Sequence, residues 1–164
     1  MNALLPTRLT IEEFLRWSMD QERGRYELEA GRIVEMQAEN ASHTRPTQRV
    51  YAALASAIAR AGLPFYAMPD GPTVRIASDR AYEPDALIAP LPEVPDDALE
   101  ISNPIAVFEV LSPTPSSIRR DLSIKVEGYG RVATIQHYGI IDPMERQVLH
   151  YRSKSDVLVP QLAP

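Results

Sequence analysis

The chemistry this chain can offer lies in acids set inside apolar strands and in a lysine that follows them. Asp85 opens the run Ala86-Leu87-Ile88-Ala89, and Glu109 lies within Ala106-Val107-Phe108-Glu109-Val110-Leu111. The second run reads as a strand buried on both faces. A lone carboxylate there costs on the order of several kcal/mol unless it is paired, hydrogen-bonded or bound to a metal. Two acids on adjacent strands, with a carbonyl such as that of Val110, form an oxygen cage suited to Mg²⁺ or Mn²⁺. Such an ion neutralises charge on a phosphodiester and makes a water nucleophilic near neutral pH. A lysine near that water helps to orient it, and Lys125 is one of only two lysines in the chain. Plainer readings stand beside these. Glu109 could form a buried ion pair with an arginine such as Arg75, and Lys125 could pair with Asp121 at i, i+4.

The elements that must position these residues can be read from the pattern. Thr10-Ile11-Glu12-Glu13 is a capping box. It predicts a helix over residues 10–19, with Ile11, Phe14, Leu15 and Met19 at helical spacing and Trp17 joining the packing. Residues 25–36 read as a hairpin turning at Ala30-Gly31, with Glu27 and Glu29 on the face opposite Tyr26 and Leu28. A polar segment, 38–46, holds His43 and leads to a helix over 45–61, closed by Gly62, with Val50, Leu54, Ala57 and Ile58 as its buried stripe. Strands follow at 65–68 and 73–76, then the two acid-bearing strands, separated by a solvated proline-rich loop over 90–104. A helix over 117–129 begins with Arg119 and Arg120, which are placed for phosphate contacts, and carries Tyr129 in the core. A hairpin over 136–151 holds His137 and His150 as structural or exposed residues, and the tail from Ser153 is expected to fray. The order predicts an α/β (α+β) fold, a mixed sheet flanked by helices.

Bulk properties narrow the classes. The 164 residues suit one domain over 1–164, and a 45% apolar and 24% charged composition is that of a soluble globular chain. There is no cysteine, so thiolate metal sites are excluded. A net charge of -5 argues against nonspecific coating of nucleic acid, though not against contact with a few phosphates in one cleft. No apolar run reaches the ~20 residues of a membrane span, and residues 1–6 lack a signal-peptide pattern. A cytoplasmic protein with no membrane partner is expected.

Several motifs together carry a resemblance. Pro84-Asp85, Phe108-Glu109-Val110-Leu111-Ser112-Pro113, then Asp121, Lys125 and Tyr129, and Tyr138 to Asp142-Pro143 resemble a large bacterial restriction-endonuclease family of the PD-(D/E)XK nuclease superfamily. Tyr26-Glu27-Leu28 with Gly31, and His43, resemble its N-terminal pattern. The likeness covers about residues 10–152 and implies a restriction-endonuclease-like central mixed sheet flanked by helices. It implies a Mg²⁺-dependent (or Mn²⁺-dependent) endonuclease acting on DNA, with Asp85 and Glu109 as metal ligands. In the superfamily pattern a lysine stands two residues after the acid, where this chain has Leu111, so Lys125 would take its place. Glu27 would add a carboxylate near the metal. His43 would touch substrate or metal. A homodimer suits an enzyme that cuts both strands. The rival from another class is a binding or assembly protein that keeps the nuclease fold without catalysis.

Overall fold

The computed structural model describes residues 8–36, 41–154 and 157–161. Helix α1, Ile11–Met19, is closed at its start by the expected reciprocal bonds: Glu13 N donates to Thr10 Oγ1 and Thr10 N to Glu13 Oε2. Ile11 and Phe14 are buried and Trp17 meets Tyr26 edge-on at 4.8 Å, but Met19 is exposed rather than packed. Strands β1 (Tyr26–Glu29) and β2 (Arg32–Glu35) form the hairpin. Ala30 and Gly31 both take positive φ, 49° and 76°, as a two-residue turn matched to strand twist requires.

Helix α2 is Ala41–Ala61, longer at its start than the pattern predicts, so His43 lies in the helix and not in a loop. Pro46, expected to end the polar segment, sits inside the helix. The expected stripe is only partly right: Val50, Leu54 and Ile58 are half-buried, Ala57 is exposed, and the buried positions are His43 and Thr47. Residues 38–40 of the predicted polar segment lie outside the described residues.

The remaining strands are β3 (Phe65–Pro69), β4 (Thr73–Ala77), β5 (Arg80–Tyr82), β6 (Ala86–Pro90), β7 (Glu100–Ile101), β8 (Ala106–Val110), β9 (His137–Asp142), β10 (Gln147–Lys154) and β11 (Val157–Gln161). They build two sheets where a single central one was expected: β2-β1-β5-β4-β7 and β11-β10-β9-β8-β6-β3, each with one parallel pair. The predicted solvated loop contains β7, whose Ile101 is buried, and of the described tail residues Ser153 and Lys154 end β10 while Val157–Gln161 pair with it, Leu158 lying in the core. Between β8 and β9 runs a helical segment: α3 (Pro115–Arg119), a π turn (Arg120–Ile124) and α4 (Lys125–Gly130). The main core joins Leu87, Val107, Tyr138 and Ile140 of the larger sheet to Tyr129 of α4 and to Val74, Tyr82 and Ile101 of the smaller sheet. A smaller core of Ile11, Phe14, Leu28 and Ala81 ties α1 to the smaller sheet. Among the described residues no helix is long and apolar enough to cross a membrane.

Candidate functional site

Strand pairing brings the two acids together. β6 and β8 are antiparallel, with Ala86 opposite Phe108 and Leu87 opposite Val107. Continuing that register by one residue sets Asp85 opposite Glu109, and directly opposed residues present their side chains on the same face. Asp85 stands where the chain leaves β5 for β6, passing from one sheet to the other. Its Oδ2 accepts the Val110 amide at 2.6 Å, which locks the carboxylate against the end of β8.

Glu109 is held by two donors: Lys125 Nζ at 2.7 Å and Tyr129 Oη at 2.8 Å, both on Oε1. Arg75, the alternative partner, instead pairs with Glu12 and Glu100 at 2.7 and 3.0 Å. Lys125 is 3% exposed and also reaches Glu27 Oε1 at 3.1 Å and Asp121 Oδ1 at 3.7 Å. Leu111, two residues after Glu109, is a core side chain.

Glu27 is no surface residue of a hairpin. It is 1% exposed, accepts the Glu83 amide at 3.0 Å and forms an ion pair with Arg120. The predicted alternation of β1 therefore holds, but its polar face turns into the cleft instead of solvent. His43 comes from α2, with Nε2 2.8 Å from the Val110 carbonyl and 3.7 Å from Asp85 Oδ2. Arg119 and Arg120 line the same cleft. Arg119 is exposed there, while Arg120 is tied to Glu27, its guanidinium 5.5 Å from the centre of the Tyr82 ring. Every singled-out residue thus lines or borders one cavity of about 600 Å³.

Two contributors were not singled out as site residues. Asp121 is buried in the cleft wall, and Tyr129, expected only to fill core, donates to Glu109. The signal was available, because Asp121, Lys125 and Tyr129 recur every four residues and so share one helix face. The expectation for His137 and His150 holds: their rings stack, with Nδ1 and Nε2 2.9 Å apart, on β9 and β10.

The electrostatics explain what such a cluster needs. Glu27, Asp85, Glu109 and Asp121 are buried with two permanent cations, Lys125 and Arg120. Full ionisation leaves two negative charges in excess. Burial pushes the Glu109 carboxyl well above its ordinary range, with Lys125 opposing and Asp121, Asp85 and Glu27 reinforcing. Burial likewise raises Asp85, against the pull of the Val110 amide and His43. Asp121 is pushed up from 3.8 to about 6 by burial, which Lys125 opposes and Glu27 reinforces. For Lys125, burial works against the charge, but Glu109, Glu27 and Asp121 together more than offset it and keep the ammonium protonated.

Among the described residues no three His, Asp or Glu side chains converge as a preformed metal cage. The donor set still fits a hard divalent ion. It offers two carboxylates on one sheet face, an adjacent carbonyl and an uncompensated charge of the size that such an ion cancels. Water would fill the remaining positions, as Mg²⁺ commonly retains several.

A family model described as "Uma2: Putative restriction endonuclease" matches residues 11–163. No curated protein matches the chain. Among solved structures, a crystal structure described as that of "a putative nuclease belonging to DUF820" from Anabaena variabilis ATCC 29413 is similar, with a TM-score of 0.68 and 17% sequence identity. The likeness covers 95% of this chain and 88% of that one. At that identity it establishes a shared fold.

Proposed function

The chain belongs to the Uma2 restriction endonuclease family, and from that premise we propose that it is a metal-dependent endonuclease hydrolysing phosphodiester bonds in DNA. One observation carries the reading: a buried lysine 2.7 Å from an acid whose strand neighbour is a second acid, all at the wall of an open cleft. Asp85, Glu109 and the Val110 carbonyl would hold a Mg²⁺ or Mn²⁺ ion. When bound, that ion supplies charge neutralisation at the scissile phosphate and an acidified water.

The chain's own groups do the rest. Lys125 keeps its proton because three carboxylates surround it, so it adds fixed positive charge beside the reacting phosphate, where negative charge grows. Its Nζ can donate to the attacking water and orient it. Tyr129 fixes the rotamer of Glu109. Glu27 holds Lys125 and Arg120 in place from the opposite sheet. Arg119, exposed at the cleft edge, is suited to a phosphate of the DNA backbone. Cutting both strands of a duplex calls for a second site, which a homodimer would supply.

The test is cleavage of supercoiled and single-stranded DNA with Mg²⁺ or Mn²⁺, wild type against Glu109→Ala. Metal-dependent cutting that disappears in the variant is the expected result. Equal cutting by both proteins would sink the assignment. Absence of cutting on every substrate by a folded wild type would favour a binding or assembly role on the same fold.

A further inference from the structure

His43 is 9% exposed, which leaves little surface for a substrate, yet it lies against the proposed donor set. Its Nε2 is 2.8 Å from the Val110 carbonyl oxygen and 3.7 Å from Asp85 Oδ2. Ligands held about 2.1 Å from a shared ion at right angles stand about 3 Å apart. The ring nitrogen therefore sits at ligand-to-ligand distance from an oxygen of the site, with a second oxygen slightly farther.

Resting on the nuclease reading of this cleft, we propose that His43 is a nitrogen ligand of the cation and sets its identity, favouring Mn²⁺ or Co²⁺ over Mg²⁺. A carbonyl only accepts, so without an ion Nε2 carries the ring proton and donates it to Val110 O. On ion binding the proton sits on Nδ1, and the Nε2 lone pair faces the ion beside the same carbonyl. The ring is already in place: His43 is buried on α2 and its Nε2 is held against the Val110 carbonyl. Little side-chain freedom remains to be lost when the ion arrives. Imidazole nitrogen binds first-row transition ions better than Mg²⁺, which prefers an all-oxygen octahedron, so one nitrogen in this set shifts the balance.

The experiment needs no turnover. Mn²⁺ binding is followed by electron paramagnetic resonance, with Mg²⁺ as competitor, on wild type, His43→Ala and His43→Gln. The wild-type Mn²⁺ complex should show nitrogen hyperfine coupling. His43→Ala should lose that coupling and weaken Mn²⁺ binding by about 10–100-fold, with a smaller loss for Mg²⁺. His43→Gln, which offers an oxygen, should narrow the Mn²⁺-to-Mg²⁺ ratio. Tight wild-type binding without nitrogen coupling, or a ratio unchanged in His43→Ala, overturns the role of His43 and leaves the nuclease reading standing. Failure of the wild type to bind either ion overturns both. The coupling is read on wild type, so the test survives a variant that does not fold.

Discussion

Replacing Asp121 by Asn should make the metal-free protein more stable, not less. Asp121 is buried, and its pKa is pushed from 3.8 to about 6 by burial, against the pull of Lys125. At roughly 1.4 kcal/mol per pKa unit, that shift corresponds to at most ~3 kcal/mol of strain when the group is ionised. Below pH 3.8 the acid is protonated in both folded and unfolded chains and contributes nothing. As pH rises from 3.8 the unfolded chain releases its proton first, so the folded state loses stability up to about pH 6, above which the cost is complete. Asparagine keeps the shape and removes the charge, while Lys125 retains Glu109 and Glu27. Urea or thermal denaturation in chelator should therefore show a gain of about 1–3 kcal/mol at pH 8, or roughly 3–10 °C in Tm. The gain should fall to about a third near pH 4.5 and vanish below pH 3.8. A variant less stable than wild type at pH 8, or a gain that does not vary with pH, would refute the claim that this cluster carries excess negative charge.

Lys125→Met should do the reverse. It leaves Glu27, Glu109 and Asp121 buried without their shared ammonium, at a cost of about 3–5 kcal/mol at pH 8, read by chemical denaturation. Because burial raises Glu109 and Asp121, protonating them should recover part of that loss at pH 5.5. Gly128→Ala should destabilise by about 1–3 kcal/mol as measured by thermal melts. A Cβ there would stand 2.5 Å from Cε2 of the fully buried Tyr82 ring, and Gly128→Ala combined with Tyr82→Leu should recover part of the loss.

The acids were legible because each broke a local rule. Glu109 interrupts an otherwise apolar strand, and Asp85 precedes a run that can only be its neighbour in the sheet. Lys125 was legible by scarcity and by resemblance, and its distance from Glu109 in sequence is closed by the turn back from β8 into the helical segment. What the pattern could not convey was the division into two sheets. β5 and β7 have three and two residues, too short to show a period, and their pairing is decided by long-range contacts. Pro160 disguised β11, since a proline argues against a strand, but its partner Tyr151 belongs to β10 on only one side of an edge. His43 was misplaced because the polar run over 38–46 carries no apolar period that would mark it as helix. Tyr129 was read as packing, because a tyrosine in a core announces nothing about where its hydroxyl goes.

The π turn between α3 and α4 bears on how this site tolerates changes in chain length. Lys125 N donates to Arg120 O across it, a five-residue closure where an α-helix would use four. On an ideal α-helix, positions five apart point about 140° away from each other. The wide turn instead lets Arg120 and Lys125 grip the two oxygens of one carboxylate, Glu27. The segment thus behaves as a helix holding one residue in surplus. Deleting Ser123, an exposed residue within the surplus turn, would let the helix relax to regular winding with Arg120 and Lys125 four apart, about 40° from each other on one face. A one-residue deletion at this turn would therefore leave both cations on Glu27, so the chain length here can change without releasing Arg120 into the cleft.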